Sequence, residues 1–167
     1  GSAVGAVLAS DQDAADVLSY SIVGGTGVGV FVVDAVSGAI TLGSSIDFEA
    51  QSVYTLDVSV TDGAIATVAT MTINVGDVNE APDVQAQIFS VAENSALGAA
   101  VGTVIASDQD AVDVLSYSIT GGTGLGLFAI DAASGALTVG SSFDFEAQSS
   151  YTLDVSVTDG AISTTST

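Results

Sequence analysis

Residues Tyr54, Leu56, Val58 and Val60 alternate with Thr55, Asp57, Ser59 and Thr61. A period of two over eight residues predicts a half-buried β-strand. The same alternation, shorter and interrupted by glycine-containing turns, runs through the rest of the chain. Phe128–Ile130 and Ala136–Val139 flank Asp131-Ala132-Ala133-Ser134-Gly135, which reads as a hairpin loop with a glycine free to take positive φ. Val114–Ile119 predicts a strand closed by Gly121-Gly122-Thr123-Gly124, and Val101–Ser107 predicts another. A strand over Ala86–Val91 is expected to open the pattern, and one over Ala64–Val75 to close it. No stretch has helical periodicity with caps. About seven short strands per hundred residues predict an all-β fold of the β-sandwich type.

The pattern occurs twice. Residues 1–70 align without a gap on residues 98–167, an offset of 97, with about three quarters of positions identical. Such self-similarity marks a tandem array. Ser10-Asp11-Gln12-Asp13 returns as Ser107-Asp108-Gln109-Asp110, Asp47-Phe48-Glu49 as Asp144-Phe145-Glu146, and Val60-Thr61-Asp62-Gly63 as Val157-Thr158-Asp159-Gly160. Most differences are apolar exchanges, such as Ile46 for Phe143. The first copy has no counterpart of residues 84–97, its opening strand, and the second has none of residues 71–83, most of its closing strand. The expected division is 1–81 and 82–167, each a sandwich with a terminal edge strand missing. The expected parent is a longer array.

Charge then narrows the chemistry. The 167 residues include 20 Asp plus Glu and no Lys, Arg or His, a formal charge of −20, yet 48% are hydrophobic. A chain so apolar is a folded one with an acidic surface rather than a disordered acidic tail. Without a basic residue nothing can pair with phosphate, which argues against nucleic acid as a partner. No intramolecular salt bridge between side chains can form, so clustered carboxylates must be spaced, protonated or neutralised by a bound cation. With no Cys there is neither a disulfide framework nor a thiolate metal site, as in a secreted bacterial surface protein. No apolar run approaches the roughly 18 residues of a membrane-spanning helix, and no basic n-region of a signal peptide is expected at the N-terminus.

The acidic residues are not scattered evenly. Asp77-Val78-Asn79-Glu80-Ala81-Pro82 joins carboxylates, an Asn and the sole Pro between the two copies. Carboxylate, amide and carbonyl oxygens form the hard donor set that suits Ca2+. The competing reading is that these are turn-forming Asp and Asn residues. A glycosidase pair, with Asp47 and Glu49 the obvious couple, is a weaker option, because a repeated catalytic site is rarer than a repeated metal site. Without His or Cys no Ser–His or Cys–His nucleophile can be assembled. Gly24-Gly25-Thr26-Gly27-Val28-Gly29 lacks the Asp and the consecutive copies of a calcium-binding β-roll, and no helix follows it as in a dinucleotide fingerprint, so a flexible loop between strands is expected there.

Taken in order, Glu93-Asn94, Asp108-Gln109-Asp110, Asp144-Phe145-Glu146, Asp159-Gly160 and the Asp77–Pro82 linker resemble the motifs of the cadherin repeat, as found in tandem in large bacterial surface adhesins. The resemblance covers nearly the whole chain. It implies two Ig-like Greek-key sandwiches with Ca2+ between successive repeats. Carried over, the upper repeat would supply Asp47, Glu49, Asp77, Asn79 and Glu80, with the carbonyls of Val78 and Ala81. The lower repeat would supply Asp108, Asp110 and Asp159, with a carbonyl near Val112 or Asp113. Asp11, Asp13 and Asp62 would be half a site facing upstream, and Glu93, Asp144 and Glu146 half a site facing downstream. The family also draws on an opening-strand Glu. Glu93 is that residue in the second copy, and the first copy has none. The linker is one residue shorter than the common vertebrate form and carries Glu80 where Asp is usual. The implied function is a calcium-stiffened segment of a long extracellular or cell-surface protein serving adhesion as a stalk. Its partners would be neighbouring repeats of the array. A directly binding glycan or protein module, or a filament subunit joining other copies through open strand edges, are the alternatives. No enzymatic activity is expected.

Overall fold

The computed structural model describes residues 1–13 and 15–167. It contains twelve strands and no helix among the described residues, and the chain divides into two compact units between Val78 and Asn79. Asn79, Glu80 and Ala81 thus belong with the second unit.

The first unit contains β1 (Ala3–Ala6), β2 (Ser19–Gly24), β3 (Phe31–Val33), β4 (Ala39–Leu42), β5 (Val53–Thr61) and β6 (Ala66–Asn74). They form two antiparallel three-stranded sheets, ordered β1-β4-β3 and β2-β5-β6. The central strand β5 is the one with the longest alternation, and all nine of its residues pair with β6. Its inward residues Tyr54, Leu56 and Val58 meet Tyr20 from β2, and Phe31 and Ile40 from the opposite sheet, in one core with Val7. Leu56 and Val58 are fully buried. Sequence periodicity thus converts directly into a sandwich interior.

The second unit repeats this plan with β7 (Ala100–Thr103), β8 (Ser116–Gly121), β9 (Phe128–Ile130), β10 (Ala136–Val139), β11 (Asp154–Thr158) and β12 (Ser163–Ser166), in sheets β7-β10-β9 and β12-β11-β8. Val84, Val104, Val155 and Val157 form its buried cluster. Phe128, Phe143 and Tyr151 make an aromatic trio with ring centroids 5.7–6.0 Å apart, and the first unit has the Phe31–Tyr54 edge contact at 5.3 Å.

Each unit has six regular strands, one fewer than the spacing predicts. The strand expected over Ala86–Val91 does not form as a ladder. Asp83 and Ser107 exchange two backbone bonds of 2.8 and 3.0 Å, an isolated bridge. Beyond it the Gln87 side chain takes the place of a strand backbone, accepting from Ile105 N at 3.0 Å and donating to Ile105 O at 2.8 Å. A side-chain amide can mimic a peptide group, and here it occupies the edge a ladder would use. The segment is still packed, for Phe89 lies over Gly102, where an added Cβ would run into the ring. At the equivalent Gly5 of the first unit nothing lies within 4 Å. Gly102→Ala is therefore expected to cost about 1–3 kcal/mol through overpacking, and Gly5→Ala to be neutral or mildly stabilising. Denaturant melts of the two variants check this, and equal effects would contradict it.

The glycine-rich loop between β2 and β3 is laced down rather than slack. Thr26 and Thr55 exchange backbone-to-hydroxyl bonds of 3.1 and 3.0 Å. Gly25 has φ +97°, and a Cβ there would strike the Thr55 carbonyl. Both features demand glycine.

Candidate metal centre

The acidic motifs are first of all turns. Asp11 Oδ1 accepts from Asp13 N at 2.9 Å, Asp108 Oδ1 from Asp110 N at 3.1 Å, Asp47 Oδ1 from Glu49 N at 3.0 Å, and Asp144 Oδ1 from Glu146 N at 2.9 Å. In the hairpins after β5 and β11, Asp62 Oδ1 accepts from Ala64 N and Ile65 N, both at 2.7 Å. Asp159 Oδ1 accepts from Ala161 N and Ile162 N, both at 2.6 Å. An Asp that closes its own turn with one oxygen holds the other in a fixed direction. The turn reading and the ligand reading are therefore compatible.

In the second unit two of these turns, those of Asp108 and Asp159, converge with the Asn79-Glu80 segment. Asn79 Nδ2 donates to Asp159 Oδ2 at 2.7 Å and to the Glu80 carbonyl at 2.8 Å. Glu80 N donates to Asp110 Oδ2 at 3.0 Å. Asp113 N donates to the Asp110 carbonyl at 3.0 Å, closing the loop that starts at Asp108. Carboxylate oxygens of Asp108, Asp113 and Asp159 lie within 4.8 Å of one another. Asp110 is buried, with 8% of its surface exposed. Asp108 Oδ2 is buried with no hydrogen-bond partner among the described residues.

That last atom tests the site for a cation. A buried carboxylate oxygen without a partner is expensive, and carboxylates this close repel by about 1 kcal/mol per pair in water and about 4 at an effective dielectric constant of 20. The chain has no basic side chain to offset either term. A divalent ion bound by hard oxygens relieves both at once, so the donor set fits Ca2+.

Asp113 is the residue that sequence reasoning missed as a side-chain donor. The signal was present, because Asp113 returns at the same offset as Asp16. In the first unit Asp11, Asp13 and Asp16 form an exposed cluster of their own. Asp62 stands in its hairpin after β5. Glu93, Asp144 and Glu146 form a further exposed cluster in the second unit, where Glu93 Oε2 accepts from Phe145 N at 3.2 Å. Asp47 and Glu49 lie on the turn before β5. Asp77 and Val78 are exposed at the end of the first unit. Ala81 is exposed and precedes buried Pro82.

Asp159 is held below the ordinary carboxylate pKa, first by the Asn79 amide and then by the Ile162 and Ala161 amides. Asp62, which lacks the Asn contact, is lowered by Ile65 and Ala64. Asp34 and Asp131 are lowered by the Ser and backbone donors of their hairpin loops, which makes them structural turn residues.

Two tandem antiparallel sandwiches with acid-lined turns define a two-unit β-sandwich repeat protein. The family description "Cadherin domain" matches residues 1–76 and 87–167, and the chain belongs to the cadherin family. It is 37% identical to mouse protocadherin Fat 2 over 148 residues, 84% of this chain, and 36% identical to Drosophila melanogaster dachsous over 176 residues, the whole of this chain. It spans only 3% and 5% of those relatives. The crystal structure of human protocadherin-24 EC1-2 superposes with a TM-score of 0.76 at 27% identity, over 96% of this chain and 80% of that one. The chain is a pair of tandem cadherin repeats.

Proposed function

We propose that this segment is a calcium-stiffened spacer in a long cell-surface protein that serves adhesion. The observation that carries the reading is the buried, unpartnered Oδ2 of Asp108 beside Asp113 and Asp159, in a chain without one basic side chain. Asn79, Asp108, Asp110, Asp113 and Asp159 would hold the ion, and Asp77, Glu80, Asp47, Glu49 and the carbonyls of Val78 and Ala81 are proposed as ligands of further ions. Asp11, Asp13, Asp16 and Asp62, and likewise Glu93, Asp144 and Glu146, would serve ions shared with adjoining repeats. The supporting chemistry is simple. Asn79 follows the last residue of the first unit directly, so an ion that fixes Asn79 and Glu80 shortens the free stretch between repeats.

A bacterial surface origin rests on the cysteine-free composition and on the resemblance to adhesin repeats, whereas the relatives named above are animal proteins. The role is mechanical rather than catalytic, because the relatives are adhesion proteins and the acid clusters recur in each repeat.

Backbone relaxation of the linker tests the proposal. Order parameters for Asp77, Val78, Asn79, Glu80 and Ala81 are expected to rise to about 0.85 in Ca2+ and to fall well below that in EDTA. Equal values in both would refute stiffening.

A further inference from the structure

The chain contains two Asp-Gly bonds, Asp62-Gly63 in the hairpin after β5 and Asp159-Gly160 in the hairpin after β11. The turn requires both residues. Each Asp accepts the backbone amides two and three residues on with a single side-chain oxygen. Gly63 and Gly160 take φ of +97° and +102°, a conformation that strains an L side chain although nothing lies within 4 Å of an added Cβ. Asp followed by Gly is also a chemically labile pair. No side chain shields the glycine nitrogen, which can attack the aspartyl Cγ. The amide proton and the carboxyl OH leave as water, a succinimide ring closes, and water reopens it to aspartate or to the β-linked isoaspartate.

In both hairpins the nitrogen that would attack is already engaged. Gly63 N donates to Thr61 Oγ1 at 3.0 Å, and Gly160 N donates to Thr158 Oγ1 at 3.1 Å. The acceptors sit on the ladders themselves, Thr61 between Ser19 and Ala66, and Thr158 between Ser116 and Ser163. We infer that the Thr61 and Thr158 hydroxyls are guards that hold these two bonds against isomerisation. The glycine N–H must leave its hydroxyl, and the carboxylate must leave the two amides that hold it, before the ring can close. Isomerisation lengthens the backbone by one methylene and takes the Asp62 side-chain oxygen away from Ala64 and Ile65. Gly63 and Gly160 are exposed to water, so the hydroxyls are what preserves the two turns with age. This role holds with or without a bound cation.

The test is to incubate the whole chain in EDTA at neutral pH and follow isoaspartate at each position by peptide mapping. Thr61→Val keeps the branched shape and removes the hydroxyl. Isoaspartate at residue 62 should then form about tenfold faster, the rate equivalent of one hydrogen bond, while residue 159 keeps the parent rate. Thr61→Ser should restore the parent rate at residue 62, and Thr158→Val should give the mirror result. Amide exchange at Ile65 in fresh protein should be the same in all variants. An unchanged rate at residue 62 in Thr61→Val, no rescue by Thr61→Ser, or an equal rise at both positions would overturn the inference. A rise accompanied by faster exchange at Ile65 would overturn it too, by assigning the effect to fraying of the hairpin.

Discussion

Asp110→Ala is expected to leave the second unit as stable in EDTA as the parent chain and to weaken its calcium response by at least about tenfold, or about 1.4 kcal/mol. The near-neutrality follows from two opposed terms. The substitution leaves Glu80 N without its carboxylate acceptor, yet it removes one buried negative charge from the loop that also carries Asp108 and Asp113. Losing one hydrogen bond costs about 1 kcal/mol, and relieving like-charge repulsion returns an amount of the same order. In calcium the balance is expected to change, since Asp110 is a proposed ligand. Calorimetric titration alongside melts in EDTA separates these. A variant equally destabilised with and without calcium would mark Asp110 as purely structural.

Leu56→Ala should produce the largest loss of stability, about 2–5 kcal/mol in the first unit. Leu56 is fully buried between β2 and β6 in the centre of its sheet, and truncation there leaves a cavity. Leu153→Ala, the same change 97 residues on, should cost the second unit roughly half as much, because Leu153 is half-buried and its neighbours can close in. Denaturant curves resolve the comparison, provided each unit unfolds as its own two-state transition. Equal costs would mean that the lower burial of Leu153 does not reduce the cost of truncating it.

Much of this was readable in advance. The alternation from Tyr54 to Thr61 located β5 to within a residue, and the repeat at 97 gave its counterpart. The hairpin through Asp131–Gly135 was legible because Asp, Ser and Gly each have a turn-specific role. Less visible were features in which a side chain does the work of a backbone. Gln87 looks like any polar residue in an extended run, and only its pairing with Ile105 shows why Ala86–Val91 is not a ladder strand. The glycine-rich loop read as slack because sequence does not reveal that Thr26 and Thr55 tie it to β5. Asp113 was overlooked because it lies outside the Asp-x-Asp spacing, although the loop turns it back onto Asp108. Partners brought together by a turn leave no periodic trace.

The central claim is that the acidic cluster of the second unit is a calcium site. Thermal melts in EDTA, in Mg2+ and through a Ca2+ titration to about 10 mM test it most directly, since extracellular calcium modules bind at about 10⁻⁴–10⁻³ M. With a dissociation constant near 10⁻⁴ M the gain at saturation is about 2.7 kcal/mol, a rise of roughly 10–20 °C for a unit of this size. A saturable rise specific to Ca2+ is the predicted result. A flat response, or an equal one in Mg2+, would contradict the account and leave Asp108, Asp110, Asp113 and Asp159 as turn residues on an acidic surface.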